Sequence, residues 1–152
     1  MRTALMLALC LAAGSAAAAD TTPAATPAPR DPALERYQSA RDRQDWQAAA
    51  AAMQEALKRD ARNADYHNLY AYALRKSGSP DMNLVFKHYN EALSIDRKHR
   101  GAHEYIGEAY LRAGNPAKAE EHLAALQKIC PIRCEEREDL GRKIAAYKAG
   151  KK

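Results

Sequence analysis

"AYLRAGNPAKAEEHLAALQKICP", residues 109–131, reads as two helices joined by a short polar turn. Ala, Leu, Glu, Lys and Gln fill both arms, and these side chains lose little freedom in a helix. Gly114-Asn115 supplies the turn. Residues 73–97, "ALRKSGSPDMNLVFKHYNEALSIDR", follow the same plan, and residues 39–61, "SARDRQDWQAAAAAMQEALKRDA", follow it more loosely. In each, one helix ends at a Gly or polar turn, and a second ends in an EAL- or AAL-like run before a charged break. Recurrence at 34 to 36 residues marks a helical hairpin stacked on itself. Short breaks at 43–45, 59–63, 77–81, 96–100, 113–116 and 130–133 divide the chain after Ala33 into seven helices of about 10 to 17 residues. Apolar side chains recur at three- and four-residue spacing, as in Met53, Ala56 and Leu57, and Val, Ile, Phe and Thr are too scarce for strands.

The pattern resembles the tetratricopeptide repeat, most clearly over residues 100–131. Gly107 sits mid-helix where that family places a small residue, so that the paired helix can approach closely. Tyr110 follows it by three, Gly114-Asn115 turns the chain, Ala119 stands at the helix crossing, Leu123 fills the groove and Pro131 ends the unit. Residues 64–99 carry Ala71, Gly78, Tyr89 and Ala92 in matching roles. Two extra turn residues and Val85 at the crossing predict a slightly wider hairpin there. Residues 33–63 keep Gln44-Asp45-Trp46, Ala49, Met53 and Ala56 in register. Arg36 and Tyr37 depart from the large apolar and small residues expected, which predicts a frayed or irregular first helix. The resemblance implies an all-α fold, a right-handed helical-hairpin solenoid of three repeats at about 33–63, 64–99 and 100–131.

Residues 132–152 form a seventh helix with a basic tail. Glu135, Glu136, Glu138 and Asp139 lie at its start, where the helix dipole favours negative charge, and lysines gather at its finish. Leu140, Ile144 and Tyr147 make one apolar stripe, fit to cover the face that a final hairpin would expose. The same resemblance implies a concave groove that binds an extended or helical partner segment. Its lining would be Leu34, Gln38 and Arg41 from the first repeat, Asn68, Tyr72 and Arg75 from the second, and Glu104, Glu108 and Arg112 from the third. Arg41, Arg75 and Arg112 would form a basic row beside an acidic patch. The subgroup that grips a chaperone's C-terminal carboxylate uses lysines and asparagines where this chain has Leu34, Gln38, Tyr72 and Glu104, so that activity is not expected.

The amino terminus bears on the compartment. Met1-Arg2-Thr3 is followed by an apolar run from Ala4 to Ala13 and by "GSAAAAD", with Ala17 and Ala19 as the small residues before a cleavage point ahead of Asp20. This reads as a secretory signal peptide over 1–19, too short in its apolar run to anchor a membrane. The short, alanine-rich style predicts the periplasm of a Gram-negative bacterium. Cys10 lies inside the apolar run after Leu9, which speaks against lipidation. Residues 20–32, with prolines at 23, 27, 29 and 32, read as a flexible linker. The net charge of +5 falls slightly once Arg2 is removed, and the charges are interspersed, so nucleic acid is not the expected partner.

Cys130 and Cys134 flank a proline turn between the last repeat and the cap. An exported pair at this spacing reads most simply as a structural disulfide fixing the angle of the cap. A thiol-redox or metal-handling role for the same two cysteines is the alternative. The redox reading lacks the two-residue spacing and the strands of a thioredoxin-type site, and the metal reading lacks further ligands beyond a doubtful His122. His99 and His103 are four apart but no acidic residue completes an HExxH pattern, so they read as a solvated helix start; His67, His88 and His122 read as single residues. No phosphate-binding glycine loop and no Gly-x-Ser-x-Gly occurs. The expectation is a non-catalytic interaction module without cofactor or metal, whose partner is a protein or peptide of the cell envelope.

Overall fold

The computed structural model describes residues 31–150. The signal peptide and most of the linker read from the sequence lie outside the described residues. Seven helices follow one another: α1 (Pro32–Asp42), α2 (Trp46–Arg59), α3 (Ala64–Lys76), α4 (Met82–Ile95), α5 (Arg100–Arg112), α6 (Pro116–Ile129) and α7 (Glu135–Ala149). No strand occurs among the described residues. Each helix packs on the next, α3 also touches α5, and α7 lies across both α5 and α6. The result is an all-α helical-hairpin solenoid.

Polar residues in the breaks start the helices. Asp31, Asp45, Asn63, Asp81, His99 and Asn115 each accept a backbone N–H of the following first turn, satisfying a donor the helix leaves open. Cys134 precedes α7 without a side-chain cap, and there Glu135, Glu136 and Glu138 face the positive end of the helix dipole. The expected fraying of the first helix is not found. α1 is regular, and Tyr37 is buried in the first core with Met53 and Tyr70.

Three apolar cores run along the stack. Tyr37, Ala49, Met53, Ala56 and Tyr70 make the first, Ala71, Val85, Tyr89 and Ile106 the second, and Ala119, Leu126, Leu140 and Ile144 the third. Leu74 packs against the first and second cores, and Tyr110 against the second and third. Gly107 finds its purpose at the last junction. A Cβ there would lie 2.7 and 2.8 Å from the two methyl carbons of Leu140, so the absent side chain is what lets α7 settle on α5. The helix that exploits the small residue is therefore the cap, not the hairpin partner of α5.

Candidate binding groove

The first helices of the hairpins, α1, α3 and α5, carry the groove residues read from the sequence, and α7 continues the row. Arg75, in the last turn of α3, is 7% exposed. Its Nη2 lies 2.8 Å from Glu108 Oε2 on α5, and its Nε donates to the Tyr89 hydroxyl at 3.3 Å. The guanidinium also lies 5.3 Å from the ring centre of Tyr72 and 6.0 Å from that of Tyr105. Burial works against this charge, but Tyr89 and Glu108 more than offset it, so the pKa of Arg75 moves up. The Tyr89 hydroxyl is pushed up in turn by its own burial.

Lys143 of α7 reaches back over α5. It pairs with Glu108 and lies 3.9 Å from Glu104. Glu104 is 7% exposed, and burial reinforced by Glu108 raises its pKa to about 7, an effect that Lys143 partly offsets. Four charges on three helices thus form one compact layer: Arg75, Glu108, Lys143 and Glu104. Above it Tyr72 and Tyr105 stand partly exposed, ring centres 4.7 Å apart, and Trp46 meets Tyr72 edge-on at 5.8 Å. Asn68 is buried at 4%, and its Oδ1 has no donor among the described residues. A Cβ on Gly101 would come within 3.3 Å of the Asn68 amide nitrogen, so this glycine makes its room.

Not all of the predicted lining meets. Gln38 and Arg41 on α1 are exposed, and Arg41 pairs with its neighbour Asp42 at 2.8 Å. Leu34 packs partly against the first core. Arg112 donates to the Arg75 carbonyl at 3.5 Å. The expected basic row of Arg41, Arg75 and Arg112 is not formed, because Arg75 is buried and neutralised by Glu108. A cluster of ion pairs stands in its place, and its α7 member, Lys143, was not among the residues read as groove lining.

At the far end, Cys130 closes α6 and Cys134 opens α7, as their positions imply. The chain turns back between them through Arg133, whose φ is 44°, and the two Cα atoms are 5.7 Å apart, within reach of a bridge. Arg137 donates to the carbonyls of Cys130 (3.3 Å) and Pro131 (2.6 Å). Ile132, at the tip, is 80% exposed. Cys130, Cys134 and Glu136 could together offer three ligand atoms to a metal, the one such group among the described residues.

The histidines depart furthest from expectation. His103 is buried rather than solvated, and its Nδ1 lies 2.9 Å from Nδ1 of His122. His67 and His88 make the same contact at 2.8 Å one repeat earlier. His99 is the cap of α5, and its other nitrogen lies 3.0 Å from Asp65. The sequence did hold a sign of the pairing. His67 and His103 occupy equivalent places in successive repeats, as do His88 and His122.

The sequence profile of the tetratricopeptide repeat matches residues 34–82 and 87–131. The chain belongs to the tetratricopeptide-repeat family. Among solved tetratricopeptide structures, it is similar to the Arabidopsis OM64 TPR domain, with 18% identity over 76% of this chain and 93% of that one and a TM-score of 0.66. The TPR2B domain of yeast Sti1, determined as a complex with pHsp70, gives 22% identity, 76% and 89% coverage and a TM-score of 0.64. The Yersinia enterocolitica type III secretion chaperone SycD, determined with a peptide of the translocator YopD, gives 20%, 79%, 89% and 0.60. A comparison with curated protein sequences gives no match. Tetratricopeptide domains serve as protein–protein interaction modules, and no helix among the described residues is long and apolar enough to cross a membrane.

Proposed function

We propose that this tetratricopeptide protein is an exported, non-catalytic adaptor that holds an extended segment of a partner against the face of α1, α3, α5 and α7. The carrying observation is the charge layer of Arg75, Glu108, Lys143 and Glu104, whose members pair with one another beneath the partly exposed rings of Tyr72 and Tyr105. Such a floor is organised before a partner arrives, so less ordering cost falls on binding. The peptide complexes of Sti1 and SycD support this reading by analogy of fold. Recognition of a chaperone's terminal carboxylate is not part of it, given Leu34, Gln38, Tyr72 and Glu104 at the gripping places.

Amide chemical shifts of labelled protein, titrated with peptides selected from a random display library, test the groove. Shifts concentrated at Tyr72, Glu104, Tyr105 and Arg112 are expected. Shifts confined to the outer surfaces of α2, α4 and α6 would sink the assignment. Export to the periplasm rests on the leader at 1–19 and predicts a mature protein beginning at Asp20; sequencing the amino terminus of the periplasmic fraction checks it. In that compartment Cys130 and Cys134 would be joined as a structural bridge. Mass measurement with and without reductant should differ by two hydrogens, and a pair that stays reduced or carries metal would favour the thiol reading instead.

A further inference from the structure

We propose that the imidazole pairs His67–His88 and His103–His122 are acid-sensitive latches that fix the angle between successive repeats. Each pair joins three pieces of chain. His67, in the first turn of α3, places Nε2 3.0 Å from the carbonyl of Ala61 in the break after α2, and Nδ1 2.8 Å from His88 on α4. His103, in the first turn of α5, places Nε2 3.1 Å from the carbonyl of Arg97 in the break after α4, and Nδ1 2.9 Å from His122 on α6. The break that links one repeat to the next is thereby tied to the hairpin that follows. The device occurs twice with the same atoms.

The bonding pattern fixes the protons. A carbonyl can only accept, so Nε2 of His67 and of His103 carries hydrogen. In the neutral ring that leaves Nδ1 as a lone pair, and the facing Nδ1–H of His88 or His122 must donate to it. One proton therefore holds each pair closed. A second proton added to His67 or His103 at Nδ1 removes that lone pair, so the bond survives only if the facing ring moves its own proton to Nε2; once both rings are protonated, two N–H groups oppose each other. A proton added to His88 or His122 would put a charge into a partly buried place against neighbouring rings. Tyr70 meets His88 edge-on at 4.7 Å, and Tyr110 stacks on His122 at 5.7 Å.

Other charges act on the pairs. Lys87 opposes and Glu91 favours a charge on His88; Lys118 opposes and Glu121 favours one on His122; His99 opposes and Asp96 favours one on His103. Burial dominates, bringing His88 and His122 down to about 4 and lowering His103 as well. No third ligand completes a metal site at either pair; among the described residues the one three-ligand group is Cys130, Cys134 and Glu136.

The sign follows from linkage. Below pH 6.5 the unfolded chain takes protons on His88, His103 and His122 while the folded chain refuses them, so the latches' contribution is complete above 6.5 and drains away towards 4. Each refused proton costs the folding equilibrium about tenfold per pH unit. Glu104 acts oppositely, because its raised pKa lets the folded chain bind a proton between about 7 and 4.5 that the unfolded chain does not. His88 and His122, with His103 adding to them, outweigh the one carboxyl, so a net loss of at least about tenfold per unit remains, and Glu104→Gln should deepen it about tenfold further.

The latch stands as a property of the fold whether or not the groove is the binding face. Nitrogen-15 spectra of the imidazoles at pH 7.5 should show His67 and His103 protonated at Nε2, and His88 and His122 at Nδ1. Amide exchange in the breaks at 60–63 and 96–99, corrected for intrinsic rate, should accelerate between pH 7 and pH 5. In the double variant His88→Asn, His122→Asn the amide can donate in place of Nδ1–H without titrating, so the acceleration should vanish, and the share of the stability loss carried by His88 and His122 should vanish with it. Other tautomers in the wild-type spectra would overturn the proposal without any variant. So would an exchange profile in the breaks that does not change with pH.

Discussion

Gln44 adopts a φ of 58° in the turn between α1 and α2, matching the φ of 79° at Gly114 between α5 and α6. A side chain there costs roughly 1–2 kcal/mol, whereas glycine costs roughly 0.5–1 kcal/mol in chain entropy. Gln44→Gly should therefore stabilise by about 0.5–1 kcal/mol, read as a higher urea midpoint; an unchanged midpoint would mean the glutamine side chain braces the turn. Arg75 offers the opposite case. Arg75→Met leaves Glu108 buried with Lys143 alone, and a loss of about 3 kcal/mol is expected, whereas Arg75→Met with Glu108→Met should recover much of it. Gly107 was legible in the sequence, because a mid-helix glycine in that register has a steric meaning. Arg75 was legible as a groove position but not as a buried cation. An arginine in a last helical turn looks solvated until Tyr89 and Glu108 are seen beneath it. The histidine pairs escaped because the partners lie on different helices, 21 and 19 residues apart, a separation that no helical spacing brings together.

At the level of elements, α7 decides whether the third repeat has a finished core. Leu140 is fully buried, seated on Gly107, with Ile144 beside it and Leu126 in the same cluster. Leu140→Ala should cost about 2–5 kcal/mol, measured by denaturant unfolding, and amide exchange should rise first in α5 and α6. A cost below 1 kcal/mol would show that the helix is an ornament. The proposed bridge between Cys130 and Cys134 makes a smaller claim. Closing so short a loop contributes on the order of 2 kcal/mol, so Cys130→Ser with Cys134→Ser should lower stability by that amount, and reductant should then have no further effect. Helix boundaries were readable because Gly, Asn and Asp punctuate the breaks. The regularity of α1 was not, since a tyrosine at a small-residue position can be accommodated only by local packing.

Across the whole molecule the three cores are joined by few side chains, with Leu74 bridging the first pair and Tyr110 the second. Repeat stacks gain their cooperativity from such junctions. Leu74→Ala should uncouple the first repeat, and Trp46, the chain's single tryptophan, sits there to report it. Its fluorescence transition should precede the loss of helical signal in the variant and coincide with it in the wild type; coincidence in both would show that the junction lies elsewhere. The repeat register carried nearly all of the architecture, because period and small residues dictate stacking. It could not carry the charge layer, which depends on α7 reaching back to α5. That reach also has a consequence in time. A chain that emerges amino end first delivers α7 after α5 and α6, so for an interval the bare face around Gly107 is finished on one side and open on the other. A chain halted before Leu140 would leave that face bare, and the seating of that leucine is what closes it.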